Sequence, residues 1–445
     1  MLSFFWIIVI LFVILVIAQL TVFLCVRNHI LAHPKLKIRK YHIAYVFLLA
    51  LTNLALASVS IGFPPTGADS FIIQSLSVSY FFYLGVCLAL FLFFVVLGCF
   101  GLFLASIESV FKAARLILFT RGQKLAPLES ANCGIEELNR AEAQFGERSG
   151  ATMSRRAFIR YTASGGAFAI TGLGSYGLLE AYESPKVNVI EFSSPALSGL
   201  LKPVDIIQVT DLHFGMFYYA SELEELVEKL NALEGAAVVV TGDIFHSPRT
   251  PVESAAPLLS KLRERPWGNF AILGNHDFYA GVGRSVKAIR DGGLRLLRNE
   301  WITFNEGSAT IHMGGIDDPK VNWLTGKRFP DFEKFIGKKP KTSGFEILLS
   351  HRPVVFPLAA KENIHLTLAG HTHGGQITFP VPGSPRPLSL AGLVSPYTLG
   401  LYKSGSCRMY LNRGVGLTFI PARINCPPEI AVIRLTPGER NPTET

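Results

Sequence analysis

A chain of 445 residues has room for two or three domains and a full-sized core, and its 49% of apolar residues is unevenly spread, crowding the first 110 positions. The formal charge of +9 sits largely beside those apolar stretches, and no aromatic–basic interleaving follows it, so nucleic acid is not an expected partner. Six cysteines are too few for a disulfide scaffold, and Cys407 and Cys426 read as buried free thiols, with a Cys407–Cys426 pair as the alternative if their half of the chain lies outside the cytoplasm.

Residues 2–26 carry no charge and are dominated by Ile, Leu, Val and Phe, enough to cross a bilayer core. They lack the basic start and small-residue cleavage site of a signal peptide, so they read as a permanent span. The next loop holds Arg27, Lys35, Lys37, Arg39 and Lys40 with no acidic residue. Residues 43–63 form a second apolar stretch, and a third lies within the uncharged run from Ser70 to Ile107. Three transmembrane helices are therefore expected within 1–107, followed by a polar cytoplasmic linker over 108–153. Residues 154–184 open with Ser154-Arg155-Arg156-Ala157-Phe158 and continue into an uncharged Gly/Ala-rich run. They read equally as a twin-arginine export signal and as a fourth span with a basic cytoplasmic flank. The basic loops alternate in a way that places the N-terminus and everything after about residue 185 outside the cytoplasm.

From 185 to 438 the pattern changes to short β-rich runs alternating with amphipathic segments, leaving 439–445 as a tail. Strands are expected at Val204–Val209, Ala236–Val240, Phe270–Leu273, Phe345–Leu349 and Ile364–Leu368, with helices at Ser221–Leu233 and Pro251–Leu262. That alternation predicts an α/β domain, in which sites gather where strands end. Each expected strand end carries residues able to hold a metal. They are Asp211 and His213, then Asp243, then Asn275-His276-Asp277, then His351, and finally His371 and His373 between glycines. Neutral imidazole is the commonest protein ligand for transition metals. Eight of the eleven histidines lie in this half, and five of them fall on these strand ends.

The ordered set Asp-x-His, Gly-Asp, Gly-Asn-His-Asp, His and Gly-His-x-His resembles the calcineurin-like metallophosphoesterase superfamily, over about residues 187–435. Gly314-Gly315-Ile316-Asp317-Asp318-Pro319, Gly374-Gly375-Gln376 and Asn425-Cys426-Pro427-Pro428-Glu429-Ile430 resemble its bacterial YkuE- and YaeI-type branch. The resemblance implies a two-sheet sandwich flanked by helices and a pair of divalent metal ions. Asp211, His213 and His373 would hold one ion, Asn275, His351 and His371 the other, and Asp243 both. His276 would be the general acid for the leaving group, with Asp277 orienting it. Mixed imidazole and carboxylate donors suit Mn, Fe or Zn better than Mg.

Other residues read less sharply. His246 stands where many relatives of the superfamily carry aspartate, and it reads as an exposed loop residue rather than a ligand. His312 and His365 read as packing residues. Arg352 and Arg413 read equally as phosphate grips and as ion-paired or solvent-facing arginines. Asp317 and Asp318 suit either a pocket wall or a turn before Pro319.

The expected function is a dinuclear metal-dependent phosphoesterase, held in the bacterial plasma membrane with its catalytic domain outside. Its expected substrate is a phosphomonoester or phosphodiester, with a lipid or cell-envelope phosphate suggested by the tether. Membrane lipids are the other expected partner, and the oligomeric state is open. Two alternatives stand beside this. One is a membrane receptor or scaffold with a catalytically silent fold. The other is a pyrophosphatase of a nucleotide-linked acylated sugar, whose cytoplasmic substrate conflicts with the orientation.

Overall fold

The computed structural model describes residues 155–318, 332–384 and 386–438. The three expected spans, the linker 108–153 and the tail 439–445 lie outside the described residues. Helix α1 (Arg155–Ala181) leads into β1 (Lys186–Ser194), β2 (Val204–Val209), α2 (Ala220–Ala232) and β3 (Ala237–Val240). Next come α3 (Val252–Leu259), β4 (Gly268–Ala271), α4 (Asn275–Asp291) and β5 (Arg295–Leu296). The second half opens with β6 (Glu300–Glu306), β7 (Ala309–Gly315), α5 (Phe332–Ile336), β8 (Phe345–Leu349), α6 (Phe356–Lys361) and β9 (Leu366–Ala369). It closes with β10 (Thr378–Phe379), β11 (Leu388–Ser389), α7 (Leu390–Val394), β12 (Gly400–Ser404), β13 (Cys407–Leu411) and β14 (Glu429–Pro437).

These strands build two six-stranded sheets, ordered β1-β14-β2-β3-β4-β5 and β12-β13-β9-β8-β7-β6, with β10 and β11 as a separate ribbon. The side-chain period of two explains how β2 serves two cores at once. Val204 and Ile206 face the other sheet, where Phe270, Ile311, Met313, Ile347, Leu349 and Leu368 meet them. Ile207 and Val209 face the opposite way, against α2, whose Leu223, Leu226, Val227 and Leu230 recur at helical spacing on one buried face. The far side of the second sheet is covered in the same manner by Phe335, Val355 and Ala359 over Leu348. The result is a helix-flanked two-sheet α/β sandwich. Cutting one of its fully buried anchors, such as Ile347, to alanine costs about 2–5 kcal/mol.

β2, β3 and β4 run parallel in one sheet, and β7, β8 and β9 run parallel in the other. Gln208, wholly buried, aligns the two sheets at this edge. Its amide donates to the Ala369 carbonyl at the end of β9 and to Thr241 Oγ1, each at 3.1 Å. The loops after β2 and β9 are thereby pinned face to face.

β2 and β8 match the expected strands residue for residue, and α2 lies one residue earlier than expected. Expected strand Phe270–Leu273 begins and ends two residues earlier as β4, because Ile272 and Leu273 stay buried while leading the chain off the ladder towards the site. β14 returns to lie between β1, to which it is parallel, and β2, to which it is antiparallel.

The expected segment 154–184 falls on α1. No helix among the described residues is long and apolar enough to cross a membrane. With 27 residues α1 has the length, but its many glycines, serines and threonines dilute its apolar residues. Its last turn is fastened to the sandwich: the Gly177 carbonyl accepts from Arg423 N at 2.8 Å. The buried Glu180 carboxylate accepts from the Asn425 and Cys426 amides, both at 3.0 Å.

Candidate metal centre

Five strands deliver the expected residues to one place, and the backbone is bent sharply to do so. Asp211, His213, Asp243, His371 and His373 all hold positive φ, between 48° and 79°. That left-handed region is sparsely populated by residues other than glycine, at about 1–3 kcal/mol each. Hydrogen bonds hold the strained turns in register. Asp211 Oδ2 accepts from Thr210 Oγ1 and from His371 N, both at 2.8 Å, and Asp243 Oδ1 accepts from His276 N at 2.8 Å. Two glycines make the approach possible. A Cβ on Gly274 would lie 2.2 Å from Asp243 Oδ1, and one on Gly370 2.1 Å from Thr210 Oγ1.

The side chains converge as three groups, the expected Asp211–His213–His373 and Asp243–His351–His371, and a third, His213–His246–His276, that shares His213 with the first. His213 Nε2 faces His373 Nε2 at 3.0 Å, and His351 Nε2 faces His371 Nδ1 at 3.2 Å. Asp243 Oδ2 lies 3.1 Å from His351 Nε2 and 3.6 Å from His213 Nε2, so it reaches both expected groups. His351 Nδ1 sits 2.9 Å from the Thr241 carbonyl, to which it donates, and this turns Nε2 towards the centre.

Electrostatics follow from this crowding. Burial pulls His213, His371 and His373 well below the usual imidazole range, with neighbouring imidazoles adding to the effect. They are neutral, the form in which imidazole ligates a metal. Burial pushes Asp211 up to about 6, with His351 pulling against it. Burial acts on Asp243 in the same sense, yet His351, His213 and His276 carry it well below the carboxylate range. His351 itself, although burial lowers it, is raised to about 10 by Asp243, Asp211 and Asp318. Two buried carboxylates thus call for positive charge between them.

Asn275, at the first turn of α4, is buried. His276 next to it is half-buried, and its Nδ1 donates to the His246 carbonyl at 2.7 Å, which leaves Nε2 available. Asp277 takes a different part from the expected one. Its buried carboxylate accepts from Phe245 N at 2.9 Å and Gly274 N at 2.8 Å, so it clamps the two loops rather than the His276 ring. Burial, reinforced by Asp243, raises it to about 7.

His246 corrects the expectation of an exposed loop residue. Its Nδ1 lies 3.1 Å from His213 Nδ1, and its ring stacks on His276 at 4.8 Å between centroids. Burial and then His276 lower it to about 4. Its position three residues after Asp243, on the same loop, was the available signal. Arg352 is ion-paired: its Nε donates to Asp318 Oδ1 at 2.8 Å, and its Nη1 lies 3.4 Å from His371 Nε2. Arg413 pairs with Glu429 and Asp317 with Arg298. His312 packs with both ring nitrogens bonded, and His365 pairs with Glu346, neither at the site. Cys407 and Cys426 are buried free thiols.

The donor set fits metal ions on an independent observation. Asp211 Oδ1 and Asn275 Oδ1, both buried at the centre, lack any hydrogen-bond partner. Buried acceptors are seldom left so unless something else binds them. Imidazoles and carboxylates converging at the strand ends of a two-sheet sandwich define a metal-dependent phosphoesterase.

The family model described as calcineurin-like phosphoesterase matches residues 204–375. The uncharacterized metallophosphoesterase YkuE of Bacillus subtilis is 33% identical over 295 residues, covering 64% of this chain and 98% of that protein. An uncharacterized metallophosphoesterase of Helicobacter pylori strain J99 is 32% identical over 275 residues, covering 60% and 69%. The zebrafish "transmembrane protein with metallophosphoesterase domain" is 33% identical over 274 residues, covering 59% of this chain and 60% of that protein. The chain belongs to the calcineurin-like metallophosphoesterases, and it is a metal-dependent phosphoric ester hydrolase.

Proposed function

We propose that the protein is a membrane-anchored phosphoesterase that hydrolyses a phosphate monoester or diester carried by a lipid or another cell-envelope molecule. The observation that carries the hydrolytic part is the pair of His/Asp groups sharing Asp243. Three uncharged stretches of spanning length support the anchor, as does the transmembrane designation of the zebrafish relative. The basic loops support a catalytic domain outside the cytoplasm. The mixed donor set favours Mn, Fe or Zn.

Asp211, His213 and His373 would hold one ion, and Asn275, His351 and His371 the other, with Asp243 held in common. Ions bound there polarise phosphoryl oxygens and acidify water. The chain supplies the rest. With its Nδ1–H donating to the His246 carbonyl, His276 in its protonated form has the Nε2 proton to hand to the departing oxygen. Arg352, braced by Asp318, holds His371 in place and adds positive charge beside the phosphate.

The test uses the full chain in detergent with Mn or Zn and chromogenic monoester and diester substrates. Turnover that Asp243→Ala and His371→Ala abolish is the expected result. No metal uptake by the unaltered protein would overturn it. A reporter at the C-terminus checks orientation, and activity only from a cytoplasmic reporter would reverse the placement.

A further inference from the structure

An apolar surface rims the metal centre, and we infer that it docks on an anionic lipid bilayer, so that the centre opens at the membrane face. This rests on the membrane-anchored reading above and adds which face of the catalytic domain meets the lipid. The surface is built from Phe379, Leu388, Leu390, Leu393, Val394 and Phe419, with exposures of 45%, 57%, 70%, 73%, 83% and 80%. Helix α7 contributes no buried residue at all, although its start is capped by Ser389 Oγ accepting from Gly392 N. A water-soluble surface rarely gathers so many large apolar side chains, and such patches mark interaction sites.

The surface is continuous with the site. A Cβ on Gly375, two residues beyond His373, would lie 2.6 Å from Ser389 Cβ, so α7 sits directly behind that ligand loop. Phe419 is held out deliberately. Its φ is +62°, unfavourable for an aromatic residue. Gln376 clamps both its neighbours, accepting from Thr418 N at 2.7 Å and donating to the Ile420 carbonyl at 2.9 Å. Strain that keeps a phenyl ring in water is retained where a partner for that ring exists.

Charge selects the partner. Between Glu362 and Glu429 the chain has no acidic residue; of its five basic residues there, Arg423 is buried and Arg413 is paired with Glu429, which leaves Arg386, Lys403 and Arg408. Arg386 is exposed on the connection between β10 and β11, its guanidinium 5.4 Å from the centroid of the Tyr402 ring. Large exposed apolar side chains with an exposed arginine on the same connection suit a negatively charged bilayer surface. A second copy would bring the same basic charge to the contact. Chain path agrees. The last turn of α1 bonds residues 423, 425 and 426, and Ile424 bridges to Ile377 at the base of the ribbon. The C-terminal turn of α1 therefore lies against the loop that carries Phe419. Docked this way, the centre faces phosphate at head-group depth.

The test places the photo-crosslinking residue benzoylphenylalanine at Leu393, Phe419 or Leu201 in the full chain. Leu201 is 89% exposed and lies before β2, at the other end of that strand from the site. The chain is reconstituted in phosphatidylcholine vesicles containing phosphatidylglycerol. Lipid adducts at Leu393 and Phe419, and none at Leu201, are expected. A chain that associates with vesicles but yields no adduct at Leu393 or Phe419 overturns the docking while leaving the anchor intact. A chain that does not associate overturns both. A cross-linked product of twice the mass overturns it in favour of a second copy.

Discussion

Asp211, His213, Asp243, His371 and His373 were legible as candidates because their residue types recur where apolar runs stop. Their shared left-handed backbone was not legible, since φ depends on contacts made by Thr210, Gly242 and Gly274 from other loops. The same limit hid His246, whose neighbour His213 lies 33 positions away, and misassigned Asp277, whose amide partners come from two turns. With His213 Nε2 turned to the centre, Nδ1 carries the proton and His246 Nδ1 accepts it. His246→Phe should weaken metal affinity about 10–100-fold, with His246→Asn restoring most of it, as measured by competitive metal titration. Unchanged affinity in the phenylalanine variant would remove His246 from that part. His276→Gln should lower kcat about 10²–10⁴-fold on an alkyl phosphate ester and far less on a nitrophenyl ester, whose leaving group needs no proton. Equal losses on both would exclude a general acid.

Among the elements, β2 and β8 could be read directly because each is a short, mostly apolar run, Val-Asp-Ile-Ile-Gln-Val and Phe-Glu-Ile-Leu-Leu, that stops at a polar residue, Thr210 or Ser350. The β1–β14–β2 arrangement could not, because it pairs residues more than 200 positions apart. Glu429, at the start of β14, secures that arrangement. Its carboxylate accepts from Tyr410 Oη at 2.5 Å, Asn188 Nδ2 at 2.6 Å and Arg413 Nε at 3.1 Å. Burial pushes this carboxyl up, but Arg413, Tyr410 and Asn188 together hold it below the usual range. A carboxyl lowered on folding is protonated more readily in the unfolded chain. Its stabilisation is therefore full above the ordinary value of about 4.3 and is lost as pH falls through the lower folded value. Glu429→Gln should cost about 2 kcal/mol at pH 7, with the difference from the unaltered protein shrinking below about pH 4. Denaturant unfolding across that range measures it, and a difference independent of pH would refute the assignment.

Across the whole sandwich, each sheet contributes one side of the centre, and Gln208 and Asn412 tie the sheets together beside it. Metal ions bound between the sheets should therefore stabilise the domain as a unit. At a metal concentration about 100 times Kd the gain is about 2.7 kcal/mol, or roughly 5–10 °C in Tm. Chelation should remove it reversibly. The most direct check of the two-ion centre is metal stoichiometry, by elemental analysis of the full chain after equilibration with Mn or Zn and removal of free ion. Two ions per chain are expected, with Asp243→Ala losing both because that carboxylate serves both groups. A single ion in the unaltered protein, or two ions undisturbed by Asp243→Ala, would contradict it.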